Sequence, residues 1–387
     1  MPGTYGGMPS TTPTSSAPST PANIFQFRAG LGVEHDSNVF RQPAAQSDTI
    51  GSLSVGFKAD RRIGLQRFRG DIEATAYKFR NFSTLDYNTL NYNVAWDWSF
   101  TPALHGVISA DRRQYRETYF DTTTVPGFTT NRVGRRTERT ELAEGVYELG
   151  AAWRLLAGVA HTSSKSSEPG SWDASPSVNS AHVGAGYEFA SGRSITARLR
   201  RGDGEYSEGF AGAGGDFRET EADVLVKWPL TGKTAVEGRL GRLERTHSGA
   251  PQRDFDGFVG NASLSWDITG KTRLQAGLAR NLNATGQATG GYVQSTQVWI
   301  GPRWTPTALT AVNLRYERTA RDWRDVTAGS IDAGRHEIGQ AVMAGFEYTP
   351  RSSLAFGASL RNERLKSNLI NSGYRATIFG VTAKAYF

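Results

Sequence analysis

The sequence predicts an all-β chain, a transmembrane antiparallel up-and-down β-barrel of about 18 strands with short turns at one end and long loops at the other. Three observations predict it. First, an aromatic residue beside a tight turn keeps returning, at Trp98, Tyr147, Tyr187, Trp228, Trp266, Trp304 and Tyr348, with gaps of 49, 40, 41, 38, 38 and 44 residues. A near-constant period marks one structural unit repeated. Second, each period holds two long stretches that alternate apolar and polar residues, so the unit is a long β-hairpin. Third, short Thr-Gly-Lys, Ser-Gly-Arg or Thr-Pro turns alternate with longer connections, the asymmetry of a bacterial outer-membrane barrel.

The alternation can be followed along the chain. Leu53, Val55, Phe57 and Ala59 oppose Ser52, Ser54, Gly56 and Lys58. Phe68, Gly70, Ile72, Ala74 and Ala76 oppose Arg67, Arg69, Asp71, Glu73 and Thr75. Leu90, Tyr92, Val94, Trp96 and Trp98 oppose Asn91, Asn93 and Asp97. The pattern returns in 221–228, in 258–268 and in the last strand, where Phe379, Val381, Ala383, Ala385 and Phe387 share a face. Residues 135–149 and 292–301 alternate poorly, and their faces stay open.

The strands are placed at 24–34, 48–60, 65–79, 87–99, 103–116, 135–149, 152–165, 177–189, 193–206, 216–229, 234–247, 252–267, 271–283, 291–303, 308–321, 335–348, 352–365 and 373–387. Tight turns fall at 61–64, 100–102, 150–151, 190–192, 230–233, 268–270, 304–307 and 349–351. The longer connections lie at the other end; 117–134 is the longest, followed by 35–47 and 322–334. Both termini then lie on the short-turn side, which is expected to be periplasmic. Strands of this length exceed the five or six residues usual in globular sheets. Charges at mid-strand, such as Arg69, Asp71 and Glu73, do not suit a sealed core. A β-propeller also repeats near forty residues, but its blades need four short strands per period.

Composition is consistent with this. There is no cysteine among the 387 residues, which excludes disulfides, thiolate metal sites and a cysteine nucleophile. No run of 18 or more apolar residues exists, so there is no transmembrane helix. Mean hydropathy is low, as it is in barrels where only every second residue meets lipid. The net charge of +7 points to an acidic partner or to a generally basic surface. No basic block forms a nucleic-acid arm, because 37 acidic residues are interspersed among 44 basic ones. Two domains are expected: a disordered Pro/Ser/Thr/Gly-rich segment at 1–22 and the barrel at 23–387. The first segment lacks the basic and apolar regions of a signal peptide, so the export signal is expected to have been removed or to lie upstream.

The recurring aromatics are read as an interface girdle, since an indole or phenol has an apolar body and a polar tip. Cross-strand packing in a soluble sheet would also favour aromatics. The polar face supplies the candidate lumen lining: Arg67, Arg69, Asp71, Glu73, Arg198, Arg200, Glu221, Asp223, Lys227, Glu237, Arg239, Arg315, Glu317 and Arg361. Neighbouring opposite charges suggest cross-strand pairs along a wet channel, or pairs that merely keep the wall soluble. The 117–134 loop is expected either to fold inward as a constriction, with Arg132, Arg135 and Arg136 at its exit, or to cap the barrel outside. Arg61, Arg62, Lys233, Lys271 and Arg351 make the turn end basic.

No catalytic constellation is present. The six histidines are scattered without metal-ligand spacing, and no nucleophile elbow or P-loop occurs. Neither catalytic residues nor a cofactor nor a metal is expected.

Several segments bring a family into view. Phe27-Arg-Ala-Gly-Leu-Gly-Val-Glu-His-Asp-Ser-Asn-Val-Phe-Arg41, Gln66-Arg-Phe68, Phe82-Ser-Thr-Leu-Asp-Tyr87, Asp203-Gly-Glu-Tyr206, Gln252-Arg-Asp-Phe255 and the repeated Thr-Gly-Lys turns resemble the EpsL-type exopolysaccharide-biosynthesis outer-membrane proteins. The resemblance covers roughly 25–387 and rests on structural motifs. It implies an exosortase-associated, porin-like barrel in a Gram-negative outer membrane that exports exopolysaccharide. Its implied partners are the exopolysaccharide itself, a periplasmic polysaccharide export protein, an inner-membrane co-polymerase and outer-membrane lipid. The alternatives are a passive porin for small solutes, a surface anchor that retains secreted polymer, and a barrel enzyme.

Overall fold

Alternation sustained over 13 to 16 residues builds the wall. The computed structural model describes residues 24–116, 134–167, 175–207, 215–284, 291–370 and 372–387. The 1–22 segment and nearly all of the 117–134 loop, including Arg132, lie outside the described residues. The strands are β1 (Ile24–Asp36), β2 (Asp48–Ile63), β3 (Gln66–Phe79), β4 (Tyr87–Ser99), β5 (Leu104–Arg116), β6 (Arg135–Leu149), β7 (Trp153–Ser166), β8 (Pro176–Glu188) and β9 (Ser194–Tyr206). They continue as β10 (Asp216–Thr231), β11 (Thr234–His247), β12 (Phe255–Thr269), β13 (Thr272–Ala284), β14 (Tyr292–Thr307), β15 (Thr310–Arg324), β16 (His336–Arg351), β17 (Leu354–Ser367) and β18 (Tyr374–Tyr386). Each pairs antiparallel with its chain neighbours, and β1 also pairs with β18, which closes an 18-stranded barrel. At the seam the Phe27 and Phe387 amides donate to each other's carbonyls at 3.1 and 2.9 Å.

The two faces separate cleanly. Leu31, Leu240 and Phe258 are 60% or more exposed, in phase with most other large exposed side chains. So broad an apolar surface would not stay monomeric in water, and it matches a lipid-facing band. Trp98, Tyr147, Tyr187, Trp228, Trp266, Trp304 and Tyr348 all lie on this outward phase beside the short turns. Ring contacts tie several to their neighbours, including Trp153–Tyr187, Tyr187–Phe189 and Phe189–Trp228.

Several strands run further into the short turns than the sequence pattern places them, and in β10, β14 and β16 they do so through a proline. The 304–307 stretch, read as a turn, is strand; the turn is 308–309. Pro306 sits in a register irregularity between Trp304 and Thr307. Pro229 and Pro350 occupy the same place in β10 and β16. A bulge tolerates the missing N–H, so the strand passes through the proline. Three of the short turns, two of them after a proline, are closed by a threonine: Thr231, Thr269 and Thr307 Oγ1 accept from the amides of Lys233, Lys271 and Leu309 at 3.1–3.2 Å.

The row Leu314, Ala344, Leu360 and Phe379 lies midway up the outward face. Leu360→Arg is expected to lower unfolding free energy by about 2–4 kcal/mol, and Trp304→Arg at the short-turn rim by about 0–1. Urea titration of the lipid-reconstituted barrel measures both.

Candidate functional site

The inward phase carries the charge. Register puts all fourteen sequence-named charged residues on the face opposite the exposed apolar side chains. Arg67 pairs with Asp60 at 2.6 Å and Arg69 with Asp97 at 2.7 Å. Asp71 and Glu73 both accept from Arg28, at 2.5 and 2.9 Å. Arg28 reaches them by lying flat across β2 over Gly56, where a Cβ would stand 2.6 Å from its Nε. Glycine at 56 therefore leaves the space in which the Arg28 side chain lies. Gly158 does the same for His182, whose Nε2 meets Glu144 at 2.8 Å.

Across the barrel the pairs fuse into a network. Asp223 accepts from Arg198 at 2.7 Å, and Glu221 from Arg200 and Arg239 at 2.6 Å each. Glu219 accepts from Arg200 and, at 2.8 Å, from Arg245. Arg315 and Gln297 donate to Glu317, and the Arg315 guanidinium lies 4.2 Å from the centre of the Trp299 ring. Arg361 pairs with Glu363 at 2.7 Å. Lys227 and Glu237 oppose each other in register without an ion pair among the described residues.

Burial divides this wall. The Arg69 and Asp71 side chains are 43% and 44% exposed, while those of Glu219, Glu221 and Arg245 are at most 2%. The buried groups lie in the middle of the strands and toward the long-loop end, where described loops turn inward. The chief one is 37–47. Val39 and Phe40 pack on the inward residues Ile50 and Phe79 and on Leu85. Arg41 reaches Asp36 at 2.7 Å and also pairs with Glu363 on β17. Asn38 Nδ2 donates to the Arg375 carbonyl at 3.0 Å. Burial alone would disfavour charge on Arg41, but the carboxylates of Glu363 and Asp36 outweigh it and raise its affinity for the proton. On the opposite wall Arg253 of loop 248–254 covers the Tyr206 ring at 4.8 Å. The inward loop shown is thus 37–47. Of the basic residues assigned to the 117–134 exit, Arg135 and Arg136 begin β6, where Arg136 is buried and donates to Ser164 at 2.6 Å.

Sequence reasoning placed Asp97 on the polar face and missed Arg28, Asp60, Glu219, Arg245 and the Asp36–Arg41–Glu363 cluster. Most lie on the inward phase, so extending each alternation to the strand ends would have found them. Arg41 had no such signal, because it sits in a loop.

Loop 80–86 is pinned by Asp86, which accepts from Lys78 Nζ and the Phe79 amide at 2.8 Å each. Those two donors hold its carboxyl below the ordinary aspartate range. The stabilisation is therefore present above the unfolded-state aspartate value and is lost as pH falls through the lower folded value. Exchange of the Phe79 amide is expected to stay slow near neutrality and to quicken in acid; in Asp86→Asn it should already be faster at pH 7.

Among the described residues no group of His, Cys, Asp or Glu could hold a metal ion. A concavity of about 1050 Å³ lies on the outer wall, lined mainly by outward residues such as Phe68, Trp96, Ile108 and Val159, and so lies outside the bore.

Solved structures share this architecture. The improved crystal structure of Pseudomonas aeruginosa OccK1 (OpdK) aligns over 94% of this chain and 99% of that one, with a TM-score of 0.50 and 14% identity. The P. aeruginosa OccK2 (OpdF) complex with glucuronate gives 0.51 at 13% identity, over 94% and 98%. P. aeruginosa OpdK with vanillate gives 0.50 at 13%, over 94% and 99%. The fold is that of an outer-membrane porin. No family model matches the sequence, and no curated protein matches it. The comparisons therefore support a porin-like outer-membrane barrel and lend no support to the EpsL-type assignment.

Proposed function

We infer that the protein is an outer-membrane porin passing small polar solutes, with carboxylates foremost, and that its short-turn end faces the periplasm. The observation that carries this reading is the graded inner wall. Part-exposed guanidinium–carboxylate pairs line one half of the bore, and close-packed pairs with inward loops narrow the other. A carboxylate solute can exchange with a wall carboxylate for the same guanidinium, by the same bidentate geometry. Glucuronate and vanillate, the ligands in two of the structurally similar porins, are both carboxylates. Buried side chains in the narrow half weigh against a free path for a polymer.

Planar-bilayer recording of the reconstituted barrel tests this. Stepwise conductance is expected, with dose-dependent block by glucuronate and little block by its methyl ester. Absence of conductance, or equal block by acid and ester, would overturn the reading. Polysaccharide export, with its periplasmic export protein and co-polymerase, remains the second reading on the sequence resemblance. It would take over if in-frame deletion abolished extracellular polymer and left it in the periplasm.

A further inference from the structure

The outward face carries an unmatched row of charge. Arg318, Gln340, Arg364 and Arg375 are direct register partners across β15, β16, β17 and β18. All three arginines are exposed, and among the described residues none has a carboxylate partner. Arg364 and Arg375 stand opposite each other, an arrangement that costs stability when nothing lies between the charges. By contrast, outward Arg218 and Arg242 are each matched by an aspartate, Asp203 and Asp256.

The surroundings define the occupant. The next rows toward the short turns are Tyr316, Val342, Asn362 and Thr377, then Leu314, Ala344, Leu360 and Phe379, then Val312, Phe346, Ala358 and Val381. From Tyr348 in the aromatic ring to Gln340 the strand climbs about 20 Å, taking ~3.3 Å per residue and a tilt near 40°. An apolar band is about 25 Å tall, so the arginines stand at its far edge, at headgroup level. Gln340 is held by Tyr316, to whose hydroxyl its Nε2 donates at 3.1 Å.

We propose that this face of β15–β18 is a docking surface for a phosphorylated glycolipid of the outer leaflet. Its acyl chains would lie on the apolar rows, and its headgroup phosphates would be clamped by Arg318, Arg364 and Arg375. Guanidinium suits phosphate because it offers paired donors in a fixed plane. A phosphate between Arg364 and Arg375 turns their repulsion into a shared bond. The proposal rests on the chain spanning an outer membrane with its short-turn end toward the periplasm, as inferred above, and does not depend on what passes through the bore.

Native mass spectrometry of the whole barrel in detergent, titrated with diphosphoryl lipid A, tests it. Wild type is expected to retain the lipid, and R318Q/R364Q/R375Q to bind it at least tenfold more weakly. The lysine triple variant should recover part of the binding, and R218Q, which removes a matched arginine, should bind like wild type. Slower gel migration on boiling, as folded barrels show, certifies that each variant is folded. Equal binding by wild type and the glutamine variant would overturn the proposal, as would equally tight binding of the dephosphorylated lipid.

Discussion

Glu219→Ala is expected to cost about 3–5 kcal/mol of barrel stability, because it takes from buried Arg245 the carboxylate bonded to it at 2.8 Å, while Arg200 keeps Glu221. Its carboxylate is fully buried and accepts from Arg200 and Arg245. Arg245 has its guanidinium 4.2 Å from the Phe217 ring centre and 2% side-chain exposure, so it has no route to water. A guanidinium does not shed its proton to escape such a site. Unfolding of the lipid-reconstituted variant in urea reads the loss. Glu237→Ala is the contrast: the side chain faces Lys227 without bonding it, and its removal is expected to change stability by no more than about 0.5 kcal/mol. Equal losses at 219 and 237 would mean that the network is hydrated and its burial unimportant.

Removing Arg28 should change what the channel passes more than how stably it folds. Asp71 and Glu73 share this one guanidinium in the part-exposed half. Arg28→Ala leaves two carboxylates facing the bore. A unit charge at ~4 Å in water is worth about 1 kcal/mol, a factor of roughly five in local ion occupancy. The ratio of anion to cation permeability is therefore expected to fall by about fivefold, measured as the reversal potential in a salt gradient. Gly56→Val should move the ratio the same way with Arg28 still present, because the new side chain occupies the space in which Arg28 lies. An unaltered ratio in both variants would place the conducting path away from this wall.

The barrel was legible because hydrophobic alternation and turn chemistry are local, and each hairpin repeats them. β6 and β14 were illegible for definite reasons. On β6 the outward phase carries Arg139 and Glu141, while Leu142 and Val146 face inward. On β14 Trp299 turns inward, where Gly277 leaves room for its indole and Arg315 covers it. Polarity alone misreads strands whose side chains find partners on the unexpected side. The lumen residues were legible as a set, since phase selects them. Their partners were not, because Arg28 meets Asp71 across an intervening strand and Arg41 meets Glu363 from a loop. The first contact skips a strand and the second spans the closure of the ring, and no local pattern encodes either.

The tie made by loop 37–47 has a kinetic meaning. Asn38 and Arg375 are 337 residues apart in sequence, and Ser37 and Thr377 are 340 apart. Such contacts cannot form until the last hairpin has arrived beside the first, because the closure entropy of the whole ring must be met before they can contribute. The Arg41–Glu363 bridge is thus a clasp fastened after the ring has joined. Interactions that form after the rate-limiting step set how fast a structure comes apart and leave assembly largely untouched. The clasp would therefore lengthen the lifetime of the closed ring, holding the loop after the first strand to the last hairpin, which no turn connects to it.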